Sequence, residues 1–417
     1  MAGESSQAKA MAAPLDGVRV LDLSRILAGP WAGQLLADFG AEVIKVERPG
    51  EGDDTRGWGP PFLNDAATGE RGDAAYFFAC NRGKKSVTID FTQQAGRELV
   101  VELAKRADVL LENYKVGGLA KYGLDYASLA KENPRLVYCS VTGFGQTGPY
   151  AKRPGYDFLI QAMGGLMSIT GERDDRPGGG PQKVGVALTD VMTGLYACNA
   201  VLAALRARDR SGQGQHIDLA LLDVQIAALA NQASSYLNTG KAPGRLGNDH
   251  PSIVPYQSFK ASDGFLILAI GNDSQFRSFC DAAGCGELGT DARFLTNKDR
   301  VANRVALTEL LSAVFLKRTM DEWIALMEAA NVPCGPINTL DRVFADPQVV
   351  ARGMRMELPH ERYGDVPLVR NPIRFSGTPL EYRNAPPQLG EHNQDVLGTL
   401  LGKTEQELAA LRGDGII

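Results

Sequence analysis

One carboxylate, Asp190, stands where an α/β sequence places reactive groups. Residues 184–188 are a short apolar run after a glycine- and proline-rich turn, and they predict a buried strand. The alanine- and leucine-rich segment 195–208 predicts a helix. Asp190 then lies at a strand-to-helix junction, where open α/β sheets bind ligands and where a helix N-terminus keeps a carboxylate ionised. It is either a nucleophile toward an activated acyl group or an N-cap, and position alone favours the N-cap.

Two further stretches carry polar side chains at the ends of predicted elements. Tyr156 and Asp157 begin the predicted helix 158–167, so both could face a pocket, although a tyrosine in that position is more often a packing residue. Segment 81–85 holds three basic residues in five. It is either a solvated turn or a phosphate site, and the two interpretations remain open.

The glycines of 143–148 match the dinucleotide fingerprint G-x-G-x-x-G, but their surroundings do not. The fingerprint requires a helix that opens on these glycines, and Pro149 and Pro154 prevent one. The acidic residue that would bind a ribose after the following strand is also missing. The segment is therefore predicted to be a mobile or ligand-covering loop.

The elements that position these residues alternate between strand and helix, which is typical of a parallel sheet. Helices at 31–39 and 96–106 connect short apolar runs that predict strands. The predicted strands are 18–23, 43–46, 86–90, 108–111, 136–141 and 215–219. Loop 24–30 follows the first strand, and its Gly29 lets the backbone approach a ligand closely.

The apolar pattern breaks at 239–251, where glycines and prolines predict a domain junction. Beyond it, 254–259 and 265–270 predict a β-hairpin that three helices follow. We therefore predict an α/β fold with a Rossmann-like, parallel-sheet large domain and a smaller α+β domain. The large domain consists of 1–240 and a C-terminal return at 333–417, and the small domain of 241–332.

Composition limits the class of protein. The chain has 417 residues, 44% of them hydrophobic, and its net charge of −5 argues against nucleic-acid binding. Four separated histidines argue against a metal site, and six cysteines without a CxxC pair predict free thiols in a reducing compartment. The first 14 residues lack a secretory leader pattern, and no window has the apolar length of a membrane span. We expect a cytoplasmic protein that uses no metal and no membrane.

With these segments in place, the chain resembles the class III (family III) CoA-transferases, the formyl-CoA transferase group, from Leu15 to its C-terminus. Several matching blocks stand in the family's order. They are LDGVRVLDL at 15–23, AGP at 28–30, LLADFGAEVIKVE at 35–47, DDTR at 53–56, ENY at 112–114, GYD at 155–157, ALTD at 187–190, PCGP at 333–336 and LGEH at 389–392.

The resemblance implies an interlaced homodimer in which each subunit is a ring threaded through the other. It aligns the family's catalytic aspartate with Asp190 and so favours the nucleophile over the N-cap. CoA thioesters are then substrates, no cofactor is tightly bound, and CoA passes through an aspartyl-CoA thioester and mixed anhydrides. The positions carried over as CoA contacts are Arg25, Leu27, Ala28, Arg48, Ile89, Asn113, Tyr114 and Lys121.

Within the family, the segment RLGNDH at 245–250 is most similar to the succinyl-CoA:dicarboxylate transferases, including those for glutarate. We therefore expect CoA transfer from an acyl-CoA, in particular succinyl-CoA, to a small dicarboxylic acid. Leu27 replaces the glutamine of formyl-CoA transferases, which argues against oxalate. The expected substrate-binding residues are Tyr156, Asp157, Arg245 and His250, with Arg245 or Arg25 on the distal carboxylate.

Two alternatives are an α-methylacyl-CoA racemase-like isomerase and a non-catalytic CoA-thioester-binding protein. The racemase branch of the family pairs its aspartate with a histidine in a Gly-His-Asp motif. Tyr156 occupies that position here, so the base for proton transfer is missing. The presence of both Asp190 and Tyr156 argues against a protein that only binds.

Overall fold

Residues 12–417 are the part of the chain that this computed structural model describes, and they form both strands and helices. The strands are β1 (Arg19–Asp22), β2 (Glu42–Glu47), β3 (Phe62–Asn64), β4 (Arg71–Ala74), β5 (Lys84–Thr88), β6 (Val109–Glu112), β7 (Val137–Thr142), β8 (His216–Ala220), β9 (Tyr256–Lys260), β10 (Phe265–Ala269), β11 (Cys334–Pro336), β12 (Arg355–His360) and β13 (Gly364–Val369). The helices are α1 (Ala28–Asp38), α2 (Ala75–Phe78), α3 (Gln94–Lys105), α4 (Tyr126–Glu132), α5 (Asp157–Met163), α6 (Leu166–Ile169), α7 (Leu188–Ser211), α8 (Leu221–Ala227), α9 (Ala230–Thr239), α10 (Asp273–Ala283), α11 (Gly286–Thr290), α12 (Asn297–Ala302), α13 (Arg304–Phe315), α14 (Met320–Ala329), α15 (Leu340–Ala345), α16 (Pro347–Ala351) and α17 (Glu405–Gly413).

The main sheet has the strand order β5-β2-β1-β6-β7-β8, and each neighbouring pair is parallel. In chain order these strands are the third, second, first, fourth, fifth and sixth, which is the doubly wound order of dinucleotide-binding folds. The order reverses between β1 and β6. The loops after these two strands therefore diverge and leave a crevice at the carboxyl edge of the sheet. The predicted parallel-sheet α/β fold is confirmed, with each strand within two residues of its predicted bounds.

Helices cover both faces of this sheet, as parallel sheets require. Successive side chains of β6 point to opposite faces. Leu110 packs in a core with residues of α3 and α17, whereas Val109 and Leu111 pack in a core with residues of α1 and α7. The strands are therefore continuous apolar runs, which is why the sequence reveals them so clearly.

Helix α7 packs closely on α1 through a glycine. A Cβ at Gly194 would lie 2.8 Å from the carbonyl oxygen of Ala28 and 2.9 Å from Cβ of Trp31. Within residues 12–417, α7 is also the one helix long and apolar enough, over an 18-residue window, to cross a membrane. The expectation that no such window exists was therefore wrong, although the core helices of soluble proteins pass the same test. Most of the segment on which a missing leader was predicted lies outside the described residues.

The chain divides into two compact units. The first contains the residues up to Gly165, Val184–Ala233 and Val350–Ile417, and the second contains Leu166–Lys183 and Ser234–Val349. The sequence places the divisions at 241 and 333 instead, and it assigns 166–183 to the large domain. That segment follows Gly165, whose φ of +85° ends the predicted helix 158–167 early.

The second unit contains the predicted hairpin, since β9 and β10 pair antiparallel and β11 joins them at the other edge of β10. Its core is aromatic, with Phe259 and Phe315 stacked at a centroid distance of 4.5 Å. Thr319 and Glu322 form a capping box at the start of α14. A second capping box, of Thr404 and Glu407, begins α17 in the first unit.

The C-terminal residues of the first unit attach to β5. The backbone N–H of Gly390 donates to Oγ of Ser86 at 2.9 Å, and the side-chain oxygen of Asn393 accepts from the backbone N–H of Thr88 at 2.8 Å. The LGEH block at 389–392 thus has a structural role at the edge of the main sheet. The antiparallel hairpin β12–β13 lies in the same unit and was not predicted.

Candidate active site

A cavity of about 730 Å³ opens at the carboxyl edge of the main sheet. Its wall consists of the loops after β1, β2, β5, β6 and β7, so it spans the point where the strand order reverses. All eight predicted CoA contacts lie in this wall: Arg25, Leu27, Ala28, Arg48, Ile89, Asn113, Tyr114 and Lys121. Tyr156 and Asp190 lie in the same wall. Residues from six parts of the chain are therefore brought to one cavity.

The loops after β1 and β6 are joined across the crevice by Arg25 and Asn113. The backbone N–H of Arg25 donates to Oδ1 of Asn113 at 2.9 Å, and Nδ2 of Asn113 donates to the carbonyl oxygen of Arg25 at 2.7 Å. The Arg25 guanidinium pairs with Asp54 at 3.0 Å and lies 5.6 Å from the ring centroid of Tyr114. The cavity wall therefore carries a fixed positive group beside an aromatic ring.

Two further cations, Arg48 and Lys121, lie in the cavity wall and are suited to bind an anionic part of a ligand. Arg48 pairs with Glu51 at 3.0 Å, and both side chains are exposed. Lys121 lies 4.5 Å from the ring centroid of Tyr122 and forms no ion pair with a described residue. An exposed ion pair of this kind contributes little to stability, so Arg48 can exchange its partner for a phosphate at small cost.

Asp190 is the third residue of α7 and not its N-cap, which is Ala187. The cap is supplied from a distance by Asp157. Oδ1 of Asp157 accepts from the backbone N–H of Thr189 at 2.8 Å and from that of Asp190 at 3.3 Å. The predicted strand at 184–188 is wrong, because 184–187 pair with no described strand and the helix already begins at Leu188. The N-cap interpretation of Asp190 is wrong for the same reason.

Burial raises the pKa of Asp190 to about 7, and the negative charge of Asp157 adds to the effect. The Asp190 carboxylate forms no ion pair and no hydrogen bond with any residue that the structure describes. The expectation that the helix N-terminus would keep this pKa low was therefore wrong. Near neutral pH a large share of the side chain is ionised, and a poorly solvated, unpaired carboxylate is a competent nucleophile.

Two tyrosines are connected with this carboxylate: Tyr156 lies in the same cavity wall, and Tyr76 is influenced by its charge. Tyr156 precedes α5, and 65% of its surface is exposed, so it is not the packing residue that position alone suggested. Burial raises the pKa of Tyr76 to about 12, and the charge of Asp190 contributes to the rise. Tyr76 was not among the predicted site residues, because it lies in the apolar stretch 74–80, whose composition is typical of a buried core.

The predicted phosphate segment 81–85 is neither a phosphate site nor a solvated turn. Arg82 is buried and pairs with Asp38 at 2.6 Å. Lys84 is fully buried and pairs with Asp22 at 2.9 Å. Lys85 binds Glu42 and Asp395. All three bases have carboxylate partners, Arg82 and Lys84 are buried, and none of the three lies in the cavity wall.

The glycines after β7 form a loop, as predicted, and the next helix begins only at Asp157. A Cβ at Gly143 would lie 2.6 Å from Cα of Gly155. The two glycines let the loop fold back on itself beside the cavity, whose wall includes both. Rejection of the dinucleotide fingerprint is confirmed.

Arg245 and His250 lie in the second unit, where both have local partners. The Arg245 side chain pairs with Asp174 and donates from Nε to the carbonyl oxygen of Glu172 at 3.3 Å. Nδ1 of His250 accepts from the backbone N–H of Ser252 at 3.1 Å, and its ring lies 5.3 Å from that of Tyr256. Their substrate-binding roles stay predictions. Among residues 12–417, no cluster of three or more metal-ligating side chains occurs.

Comparison with known proteins identifies relatives along nearly the whole chain. The family model described as CoA-transferase family III matches residues 15–393. A succinate–glutarate CoA-transferase of Agrobacterium fabrum is 54% identical over 387 residues, which are 93% of this chain and 96% of that one. A human succinyl-CoA:glutarate CoA-transferase is 42% identical over 97% of this chain and 90% of that one.

A solved structure has the same fold. The crystal structure of a CAIB/BAIF family protein from Brucella suis superposes with a TM-score of 0.83 at 54% identity. The match covers 94% of this chain and 100% of the other. The arrangement of strands and helices described above is therefore that of this group of proteins.

Proposed function

The chain belongs to CoA-transferase family III, and on this premise we propose that it transfers CoA from succinyl-CoA to glutarate or another small dicarboxylic acid. The observation that carries the proposal is that one cavity wall contains both Asp190 and all eight expected CoA contacts. The names of the bacterial and human relatives support the acceptor class, since both refer to glutarate.

The reaction begins with the carboxylate of Asp190. One of its oxygens attacks the thioester carbon of succinyl-CoA, the C–S bond breaks, and CoA leaves as the thiolate. The product is a mixed anhydride between Asp190 and succinate. The thiolate then attacks the Asp190 carbonyl carbon, which releases succinate and leaves an aspartyl-CoA thioester.

The second half of the reaction repeats these steps with the acceptor. A carboxylate of the acceptor attacks the aspartyl thioester and expels the CoA thiolate, which gives a second mixed anhydride. The thiolate attacks the acceptor's carbonyl carbon, so that the new acyl-CoA forms and the Asp190 carboxylate is restored. No net proton is taken up or released. Because water would hydrolyse each intermediate, a poorly solvated site such as that of Asp190 supports the scheme.

The distal carboxylate of the acceptor requires a cation. Arg25 is favoured over Arg245 by its place in the same cavity wall as Asp190, but we keep both as candidates. Replacement of the correct arginine by alanine raises the KM for glutarate about tenfold or more relative to that for a monocarboxylic acid. An arginine whose loss changes both KM values equally does not bind the distal carboxylate.

We further propose a cytoplasmic, interlaced homodimer that binds neither membranes nor nucleic acid. Apolar side chains on α5 and α7 support a protein interface in the first unit: Phe158, Leu195 and Tyr196 are each between 45% and 59% exposed. Light scattering coupled to size exclusion should give twice the mass of one chain. A single-chain mass at micromolar concentration would contradict the dimer.

The experiment that tests the function measures CoA transfer from succinyl-CoA to glutarate, itaconate, malate, mesaconate, oxalate and carnitine. We expect transfer to one or more dicarboxylic acids and none by Asp190→Ala. Exchange of the α-proton of an acyl-CoA in deuterated water would instead support the isomerase. Tight CoA binding without any turnover would support the binding protein.

A further inference from the structure

The loop that contributes Arg25 and Leu27 to the cavity wall has a backbone conformation that its sequence does not favour. Between these two residues, Ile26 has φ of +73°. This left-handed region is rare for any residue with a Cβ, and for a β-branched residue it is a marked outlier. Such a conformation persists only where its surroundings impose it, and it is concentrated at functional sites.

Asp53 and Lys45 accept and donate hydrogen bonds to the backbone of this loop on both sides of Arg25. The backbone N–H of Ile26 donates to the two carboxylate oxygens of Asp53 at 3.2 and 3.3 Å. Nζ of Lys45 donates to the carbonyl oxygen of Ser24 at 2.8 Å. Asp53 and Lys45 pair with each other at 2.8 Å, and both side chains are fully buried. The loop is thus attached to a single buried ion pair at the residue before Arg25 and at the residue after it.

The ion pair is itself fixed before any ligand arrives. Oδ1 of Asp53 accepts from the backbone N–H and the hydroxyl of Thr55 at 3.0 and 2.7 Å. The backbone N–H of Asp53 donates to Oε2 of Glu47 at 2.9 Å, and Arg56 holds both oxygens of Glu47 at 2.8 Å. Asp53 therefore has little freedom to move, and its position determines the conformation of the loop at Ile26.

We propose that Asp53 and Lys45 are positioning residues that hold Ile26 left-handed and thereby present Arg25 and Leu27 to the acyl-CoA. This inference rests on the proposed CoA-binding role of the cavity. It assigns to the DDTR motif a function in ligand affinity in addition to its turn. Without its hydrogen bonds to Asp53, Ile26 relaxes to an ordinary φ. Only the fraction of molecules that keep the left-handed loop conformation then binds the acyl-CoA well.

The first test separates positioning from stability by glycine rescue. Asp53→Ala should raise the KM for succinyl-CoA about tenfold or more, with kcat at saturation changed less than about threefold. Adding Ile26→Gly to Asp53→Ala should bring the KM back to within about threefold of wild type, because glycine adopts positive φ without help. Asp53→Asn, which keeps an acceptor for the Ile26 N–H, should lie between alanine and wild type.

Asp38→Ala is the matched control for the loss of a buried ion pair. Asp38 and its partner Arg82 are both buried, and neither residue lies in the cavity wall. We expect Asp38→Ala to lower the thermal midpoint without changing the KM for succinyl-CoA. An equal rise of KM in Asp38→Ala, or a double variant no better than Asp53→Ala, would overturn the proposal.

The second test leaves every buried charge in place and so does not depend on whether Asp53→Ala folds. Ile26→Pro and Ile26→Gly both remove the isoleucine side chain, but proline is confined to φ near −65° and has no N–H for Asp53. Calorimetric titration with CoA should give a dissociation constant about tenfold or more weaker for proline than for glycine. Equal dissociation constants for the two variants would contradict the proposed positioning role of Asp53 and Lys45. A wild-type chain that binds no CoA would contradict the proposed function itself, and with it the role of this loop.

Discussion

Two groups of carboxylates in the first unit differ in whether a cation accompanies them. The paired group consists of Asp22, Glu47 and Asp53, which are buried and each lie within 2.9 Å of a buried lysine or arginine nitrogen. Although burial alone would raise its pKa, Lys45 and hydrogen bonds lower that of Asp53 to about 2. Asp190 forms no ion pair with a residue of the described part of the chain, 12–417, and burial raises its pKa to about 7.

This contrast separates the carboxylates that hold the site together from the one that we propose as the nucleophile. A paired, hydrogen-bonded carboxylate is stabilised as an anion and is a poor nucleophile, but it holds backbone in place. An unpaired one lacks that stabilisation, and its reactivity comes at the expense of folding stability. The same residue type therefore serves two roles, and its neighbours decide which.

The largest effect is expected where a paired carboxylate loses its cation. Lys84→Met leaves Asp22 buried without its partner and should lower the free energy of unfolding by about 3–5 kcal/mol. The neighbouring Lys85→Met is the control, because Lys85 is partly exposed and its pairs are worth at most about 1 kcal/mol. Urea denaturation measures both. Similar losses in the two variants would remove the distinction between the buried and the exposed pairs.

Activity should depend on pH through Asp190. The nucleophile is the ionised form, so kcat/KM should fall about tenfold per unit as the pH drops below the pKa of about 7. Between pH 7, where about half of the side chain is ionised, and pH 5 this is roughly a fiftyfold loss. A profile of kcat/KM from pH 5 to 9, with the fold monitored by circular dichroism, gives the answer. An acidic limb near pH 4 would contradict the raised pKa of Asp190 and mean that its ionised form is not destabilised by burial.

Neutralising the unpaired carboxylate should stabilise the chain, in contrast to any change at the paired ones. The pKa of Asp190 is about 7 in the folded chain and 3.8 without the fold. Folding thus favours the protonated side chain, and wild type loses stability as the pH rises from about 4 to 7. Asp190→Asn avoids this loss and should be more stable by on the order of 2 kcal/mol at pH 8. Thermal unfolding at pH 8 and pH 5 should show the gap shrink at the lower pH, and a gap independent of pH would contradict it.

The smallest effect concerns Asp157, which both caps α7 and raises the pKa of Asp190. Asp157→Asn keeps an oxygen for the N–H of Thr189 but loses the charge, so the acidic limb should move slightly to lower pH. Asp157→Ala also loses the cap and should cost about 1 kcal/mol more of unfolding free energy. A limb that stays fixed in both variants would leave burial as the sole cause of the raised pKa.

The sequence predicts the sheet well because its strands are covered on both faces, as Val109, Leu110 and Leu111 illustrate. The rule that a short apolar run is a buried strand fails at 184–188. Apolar content alone does not show whether a neighbouring strand is available for pairing. A similar limit applies at α8 and α9, which are separated by a single unusual backbone angle: Ala230, the first residue of α9, has φ of +44°. Local pattern gives no warning of such angles.

The site divides in the same way. The eight predicted CoA contacts come together in one cavity because each follows a strand of the parallel sheet or packs beside one. The raised pKa of Asp190 could not be predicted from the sequence. Asp157, which caps α7 and contributes to this pKa shift, lies 33 residues away in the chain. Lys84 and Lys85 look alike in sequence, yet only Lys84 is fully buried. Burial and partners are tertiary properties, and they decide the chemistry here.

The most direct test of the central claim is to trap the covalent intermediate. Wild-type protein is mixed with succinyl-CoA without an acceptor, quenched in acid and digested, and the peptide that contains Asp190 is weighed by mass spectrometry. We predict an added mass of CoA less one water on Asp190, and none in Asp190→Asn. CoA transfer that proceeds with no adduct on Asp190, or with the adduct on another residue, would contradict the assignment of the unpaired carboxylate as the nucleophile.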